Sequence, residues 1–135
     1  MMVRTLNVLA LVTTALLAAS PGAAQQKLSD EQRCTGAGVP PDAQVAACTA
    51  LIDSKRISRP NLVTVYSNRG VAYGKAGDYD HAIADFDEAL RINPGYVRAA
   101  VNRGNANFAK RDYDAAIGDF GQAIRIEPKS PMAAS

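Results

Sequence analysis

The run Val63–Tyr96, VTVYSNRGVAYGKAGDYDHAIADFDEALRINPGY, is followed without a gap by Val97–Ser130, VRAAVNRGNANFAKRDYDAAIGDFGQAIRIEPKS. Sixteen of the 34 aligned positions are identical. Asn68-Arg69-Gly70 returns as Asn102-Arg103-Gly104, and Asp78-Tyr79-Asp80 as Asp112-Tyr113-Asp114. Ala82-Ile83 returns as Ala116-Ile117, and Asp85-Phe86 as Asp119-Phe120. Ala89, Arg91, Ile92 and Pro94 return as Ala123, Arg125, Ile126 and Pro128. A period of 34 residues is the signal of a helix-turn-helix solenoid.

Each unit reads as two helices. Tyr66, Arg69, Gly70 and Tyr73 fall at i, i+3, i+4 and i+7, one face of a first helix. Gly77-Asp78 marks a turn. Ala82, Phe86, Ala89 and Leu90 mark one face of a second helix. Asn93-Pro94 stops it, because the residue before proline is pushed out of the α region. Gly70 facing Ala82, and Gly104 facing Ala116, would let two helix backbones approach closely. That contact must offset the roughly 1 kcal/mol that glycine costs inside a helix. Arg69 shares its face with Tyr66, Gly70 and Tyr73, Arg103 recurs at the same place, and a buried arginine needs a partner. Asp85 and Asp119, each 16 residues later, are the repeated candidates. One structural ion pair per unit is predicted, with a ligand-gripping role for the arginines as the alternative.

The pattern Tyr66…Gly70…Tyr73…Ala82…Phe86…Ala89…Pro94 resembles the tetratricopeptide repeat. The second unit departs from it: Ala100 stands where a large aromatic is usual and Asn107 where the second tyrosine is usual, with Phe108 next to it as a substitute filler. The resemblance implies an all-α solenoid of two full repeats, 63–96 and 97–130. It also implies a concave groove lined by the first helices. On that basis Thr64, Ser67, Asn68 and Val71 of the first unit face the groove. Arg98, Val101, Asn102 and Asn105 of the second do likewise, with Phe108 beyond them. Asn68 and Asn102 match the asparagine with which peptide clamps of this family hold an extended backbone. A side-chain amide both donates and accepts, which suits that role. The basic partners of a carboxylate clamp are mostly absent, Ser67 and Val71 standing in their places.

Outward from the repeats, the 135 residues allow one domain, and 47% hydrophobic residues suffice for a core. The net charge of +2, from 15 basic and 13 acidic side chains, does not imply nucleic acid. Met1-Met2-Val3-Arg4, an apolar run from Leu6 to Ala19, and the small residues Gly22-Ala23-Ala24 have the layout of a secretory signal peptide over 1–24. The run is too short to span a bilayer, for which roughly 20 residues are needed, so no stable membrane anchor is expected. Export places Cys34 and Cys48 in an oxidising compartment, where an even count reads as one disulfide. Closing that loop is worth about 3 kcal/mol in the chain-entropy model. Two free thiols would be the reading for a cytosolic chain.

Residues 25–62 read as a cap. Ala43, Ala47, Ala50 and Leu51 repeat the spacing of Ala82, Phe86, Ala89 and Leu90, giving a degenerate half repeat. Ser29 and Gln32 form a capping-box signature for a short helix carrying Cys34. The disulfide would clip this helix to the half repeat and cover one end of the stack. The whole resembles small exported tetratricopeptide proteins of α-proteobacterial type.

Chemistry is poorly provided for. His81 is the only histidine and its counterpart in the second unit is Ala115. Two cysteines and one histidine cannot supply the usual four ligands of a zinc site. Gly74-Lys75-Ala76-Gly77 joins two helices and is not a phosphate loop. The acidic cluster Asp78, Asp80, Asp85, Asp87 and Glu88 lacks calcium-loop spacing, and Asp78, Asp80, Asp112 and Asp114 suit the positive ends of the helices they begin. Neither cofactor nor metal is expected. The sequence therefore implies a periplasmic or secreted, non-catalytic module that binds a protein or peptide through the groove. The alternative is an assembly element. After Pro128 a tail of 131–135 follows Lys129-Ser130, too little for a covering helix. Ile117, Phe120 and Ile124 are then expected to stay partly open and dock a second copy or a partner's helix.

Overall fold

The computed structural model of the chain describes residues 28–128. The expected signal peptide and the carboxyl-terminal tail lie outside the described residues. Within them the chain forms six α-helices and no strand: α1 (Asp30–Thr35), α2 (Pro41–Asp53), α3 (Arg59–Lys75), α4 (Tyr79–Ile92), α5 (Val97–Ala109) and α6 (Tyr113–Ile126). Each helix packs antiparallel on the next. In addition α1 touches α3, and α3 touches α5. The odd-numbered helices thus form one row and the even-numbered helices another that is more widely spaced. A stack closer on one side than the other curves toward the close side, so the α1–α3–α5 row is the inner face. The architecture is an all-α solenoid of stacked helix pairs.

Local chemistry sets the helix ends. At α1, Ser29 Oγ accepts from Gln32 N while Gln32 Oε1 accepts from Ser29 N, the reciprocal capping box. Pro41 opens α2, where its missing N–H costs nothing. Asp78 and Asp112 accept from the third amides of α4 and α6, satisfying donors that a helix start leaves unpaired. The corner between the two helices of each unit is left-handed, at Gly77 (φ 79°) and at Arg111 (φ 66°). The same 2.9 Å bonds close both corners, Asp78 N to Tyr73 O and Asp112 N to Asn107 O. Arg111 therefore occupies a conformation that only glycine enters without penalty.

The repeat glycines are sites of close approach, but to a ring rather than to alanine alone. A Cβ on Gly70 would lie 2.7 Å from the Phe86 ring and 3.1 Å from the Ala82 carbonyl. One on Gly104 would lie 2.7 Å from the Phe120 ring. In both units the ring of the second helix is the nearest neighbour of the glycine. Val63, Ala82, Phe86, Ala89 and Leu90 join Ala99, Ala100, Ala106 and Ala123 in the main core. A second, smaller core of Cys34, Ala47, Cys48, Leu51 and Val65 sits under the amino-terminal cap.

Both predicted ion pairs form. Arg69 donates from Nε and Nη2 to the two oxygens of Asp85, each at 2.8 Å. Arg103 donates from Nε to Asp119 Oδ1 at 2.8 Å. The arginines also reach back to the preceding unit: Arg69 Nη1 to Thr49 Oγ1 at 3.0 Å, and Arg103 Nη1 to Asp87 Oδ1 at 2.6 Å. The hydrogen bonds to Asp85 raise the Arg69 pKa above its ordinary value against the pull of burial. For Arg103 burial is the largest influence and acts downward, and the bonds to Asp119 and Asp87 outweigh it. In the second unit Asn107 stands in for tyrosine by a polar route. Its buried amide donates to Asp119 Oδ2 at 2.8 Å. Phe108 does not fill the tyrosine's space; it is exposed and meets Tyr113 edge-on.

Arg111→Gly is expected to be neutral or stabilising by up to about 1 kcal/mol, since relief at positive φ offsets the added freedom of the unfolded chain. Thermal unfolding of the two proteins checks it, and a clearly lowered midpoint would refute it. Asp119→Ala is expected to cost about 2–3 kcal/mol, because it strands the Asn107 amide and removes one partner of a half-buried guanidinium. Denaturant midpoints measure that loss.

Candidate functional site

The inner face carries two notches in succession, one between α1 and α3 and one between α3 and α5. The first has a volume of about 240 Å³. Its floor is Cys34, Leu51 and Val65, and its rim holds Glu31, Thr35, Asn61, Thr64 and Asn68. The second has a volume of about 270 Å³. Gly70, Val71, Gly74, Phe86 and Ala106 make it apolar, and Lys75, Tyr79, Asn102 and Asn105 edge it.

Asn68 and Asn102 are one repeat apart, and each lines one notch. Neither amide makes a side-chain hydrogen bond among the described residues. Asn68 is nearly buried and Asn102 half-buried. Two amides with free donors and acceptors therefore project into successive depressions along one face. Carboxylate and ammonium are divided between the notches: Glu31 at the first, Lys75 at the second. A hydrogen bond from its own backbone amide, then one from the Ser29 hydroxyl, holds the Glu31 carboxyl below its ordinary pKa.

The residues expected along the groove divide into those the notches bring together and those they do not. Thr64 and Asn68 meet in the first notch, and Val71, Asn102 and Asn105 in the second. Ser67 is fully buried, with no partner for its hydroxyl among the described residues, and takes no part in the surface. It points between helices because α3 is enclosed on one flank by α2. Val101, its counterpart, is half-buried and packs against the main core. Arg98 is exposed but lines neither notch. His81 is a surface residue, 2.7 Å from Asp78 Oδ2 through Nδ1 and stacked on Tyr73.

Sequence reasoning missed Glu31, Asn61, Gly74, Lys75 and Tyr79 as lining residues. Gly74 had a readable signal. It is a glycine inside a helix, yet a Cβ there would meet nothing within 4 Å. The fold does not need it, whereas the notch does need its emptiness. The sulfurs of Cys34 and Cys48 stand 2.11 Å apart, at disulfide distance. Cys34 thus anchors the first notch from below. Gln44 Nε2 adds a 3.0 Å bond to the Cys34 carbonyl.

Two family models with the same description, tetratricopeptide repeat, match the chain over residues 63–96 and 97–130. No curated protein matches it. Among solved structures it is similar to the first tetratricopeptide domain of Spaghetti (RPAP3) bound to the HSP90 peptide SRMEEVD. That likeness has 24% identity and a TM-score of 0.62, over 70% of this chain and 71% of that one. The NMR structure of the first tetratricopeptide domain of human RPAP3 matches at 26% identity, with the same TM-score and coverage.

Proposed function

Because this chain belongs to the tetratricopeptide-repeat family, we propose that it is a non-catalytic binding module that holds an extended peptide or protein segment along its inner face. The observation that carries this reading is the pair of notches one repeat apart, each edged by an asparagine amide with no side-chain hydrogen bond among the described residues. An extended peptide has an amide donor and a carbonyl acceptor at every residue, and asparagine can serve both. The α3–α5 notch suits an apolar side chain of the ligand. A segment lying along the face meets a carboxylate at one notch and an ammonium at the other, which favours a ligand with charges of both signs. The sole histidine is engaged with Asp78 and Tyr73.

We further propose that the protein is exported and that Cys34 and Cys48 are joined in its working form. The cysteine distance supports this, as does the signal-like amino terminus. No helix among the described residues is long and apolar enough to cross a membrane. A joined pair fixes α1, one wall of the first notch, onto α2.

Two measurements test these readings. Peptides selected from a random library against the protein should lose affinity by about tenfold or more on Asn102→Ala, a loss of roughly 1.4 kcal/mol. They should lose it similarly on Gly74→Leu, which fills the α3–α5 notch while leaving stability unchanged or raised by up to about 1 kcal/mol. Selected peptides indifferent to both variants would remove the groove as the site. Thiol titration of protein recovered from an exporting host should find no free cysteine before reduction. Cys34→Ser should lower stability by about 3 kcal/mol at most without loss of the repeat helices. Two titratable thiols per chain would refute the joined pair.

A further inference from the structure

The 34-residue period makes the last helix comparable, position by position, with a helix that is covered. Ile83 on α4 is half-buried, and its counterpart Ile117 on α6 is 69% exposed. Leu90 is 7% exposed, and its counterpart Ile124 is 44% exposed. Tyr79 is half-buried, and Tyr113 is 52% exposed. The position of Gly74 is taken by Phe108, 60% exposed and leaning on Tyr113. Together these side chains expose on the order of 400 Å² of apolar surface, the size of the largest patch on a typical monomer, which is often functional.

What covers the equivalent surface one unit earlier is present in the structure. It is α5, which brings Val97, Ala100, Val101 and Ala106 to the shared core. It also brings two cations to acceptors on α4: Arg103 to Asp87, and Lys110 to Asp80. The Lys110 ammonium holds the Asp80 carboxyl below its ordinary pKa through their hydrogen bond. On α6 the counterpart of Asp87 is Gly121. The counterpart of Asp80 is Asp114, exposed and without an ion pair among the described residues. So α6 repeats the apolar surface and keeps one of the two anchor points for a basic residue.

We infer that the α6 end of the solenoid receives an amphipathic α-helix of a partner protein, one with a face of small apolar residues and a lysine or arginine near its carboxyl end that pairs with Asp114. Among the described residues, a second copy offers only its own α6, whose exposed Tyr113, Ile117 and Ile124 are bulky where α5 brings Ala100, Val101 and Ala106. Its α5 is enclosed by α4 and α6, and its α3 by α2 and α4, with α1 and α2 covering the amino-terminal end. The surface is separate from the inner-face notches, so both can be occupied at once.

The probe is a fluorescent, helix-stapled peptide with the sequence of Val97–Lys110, titrated into the full protein and followed by anisotropy. Saturable binding is expected. It should weaken by at least about tenfold on Ile117→Asp, whose side chain is mostly in solvent so that folding is spared. Asp114→Lys should weaken it about threefold, and a peptide carrying Lys110→Glu should recover that loss, as charge pairing requires. Asn102→Ala should leave it unchanged. Lack of saturation up to about 1 mM, equivalent to less than ~4 kcal/mol of affinity, would overturn the proposal. So would equal binding by the Ile117→Asp protein. A dimer seen by sedimentation that Ile117→Asp converts to monomer would overturn it in favour of a second copy.

Discussion

The arginine of each repeat, held between an aspartate of its own unit and an acceptor of the unit before, is the contact on which the stack depends. Arg69 joins Asp85 on α4 to Thr49 on α2, and Arg103 joins Asp119 on α6 to Asp87 on α4. Each guanidinium therefore fixes two relations at once, the pairing within a unit and the offset between units. A buried ion pair is weak evidence for net stability, because an apolar substitute of equal volume often does as well. Its value here lies in geometry. A fork of fixed donors accepts few arrangements, whereas a core of alanines and valines would accept several.

The neighbours of that arginine show how three successive residues serve three surfaces. Consecutive positions on an α-helix are 100° apart, at 3.6 residues per turn. Asn68 faces the inner notch, Arg69 the second helix and the preceding unit, and Gly70 the ring of Phe86. The same division recurs at Asn102, Arg103 and Gly104. The identical tripeptide is thus one ligand-facing residue, one locking residue and one space for a ring. Moving any of them by one place would turn an amide into the core and a guanidinium into the groove.

That division also explains what could be read from the chain and what could not. The period, the helix pairs, both ion pairs and the aspartate caps follow from residue spacing and chemical type. The inner surface was harder to read. A helix with neighbours on three sides has no single polar stripe, so only the resemblance to the family points Ser67 at the groove, and here α2 encloses it. Phe108 matches the tyrosine's volume, but Asn107 takes its place by donating to Asp119 Oδ2, an oxygen that the Arg103 Nε bond to Oδ1 leaves open. The first notch was missed for a different reason. It needs α1, a helix of six residues whose place is set by Gln44 and the cysteine pair and not by periodicity.

The two ends of the stack are not equivalent, and this bears on how the inner face behaves. In a solenoid each unit is stabilised by its neighbours, so a unit with one neighbour is the first to open. The first repeat lies between the cap and the second repeat. The second has a described neighbour on one side only, and its last helix carries Gly118 and Gly121, each costing up to about 1 kcal/mol relative to alanine. Asn102 and Asn105 belong to that less supported unit, yet they form half the rim of the α3–α5 notch. Any helix seated on α6 would bind only the closed form of the second unit, and by mass action would raise the fraction of molecules in which the notch is intact. Occupation of the end and occupation of the inner face are then favourably coupled through the order of α5 and α6, with no change of shape required.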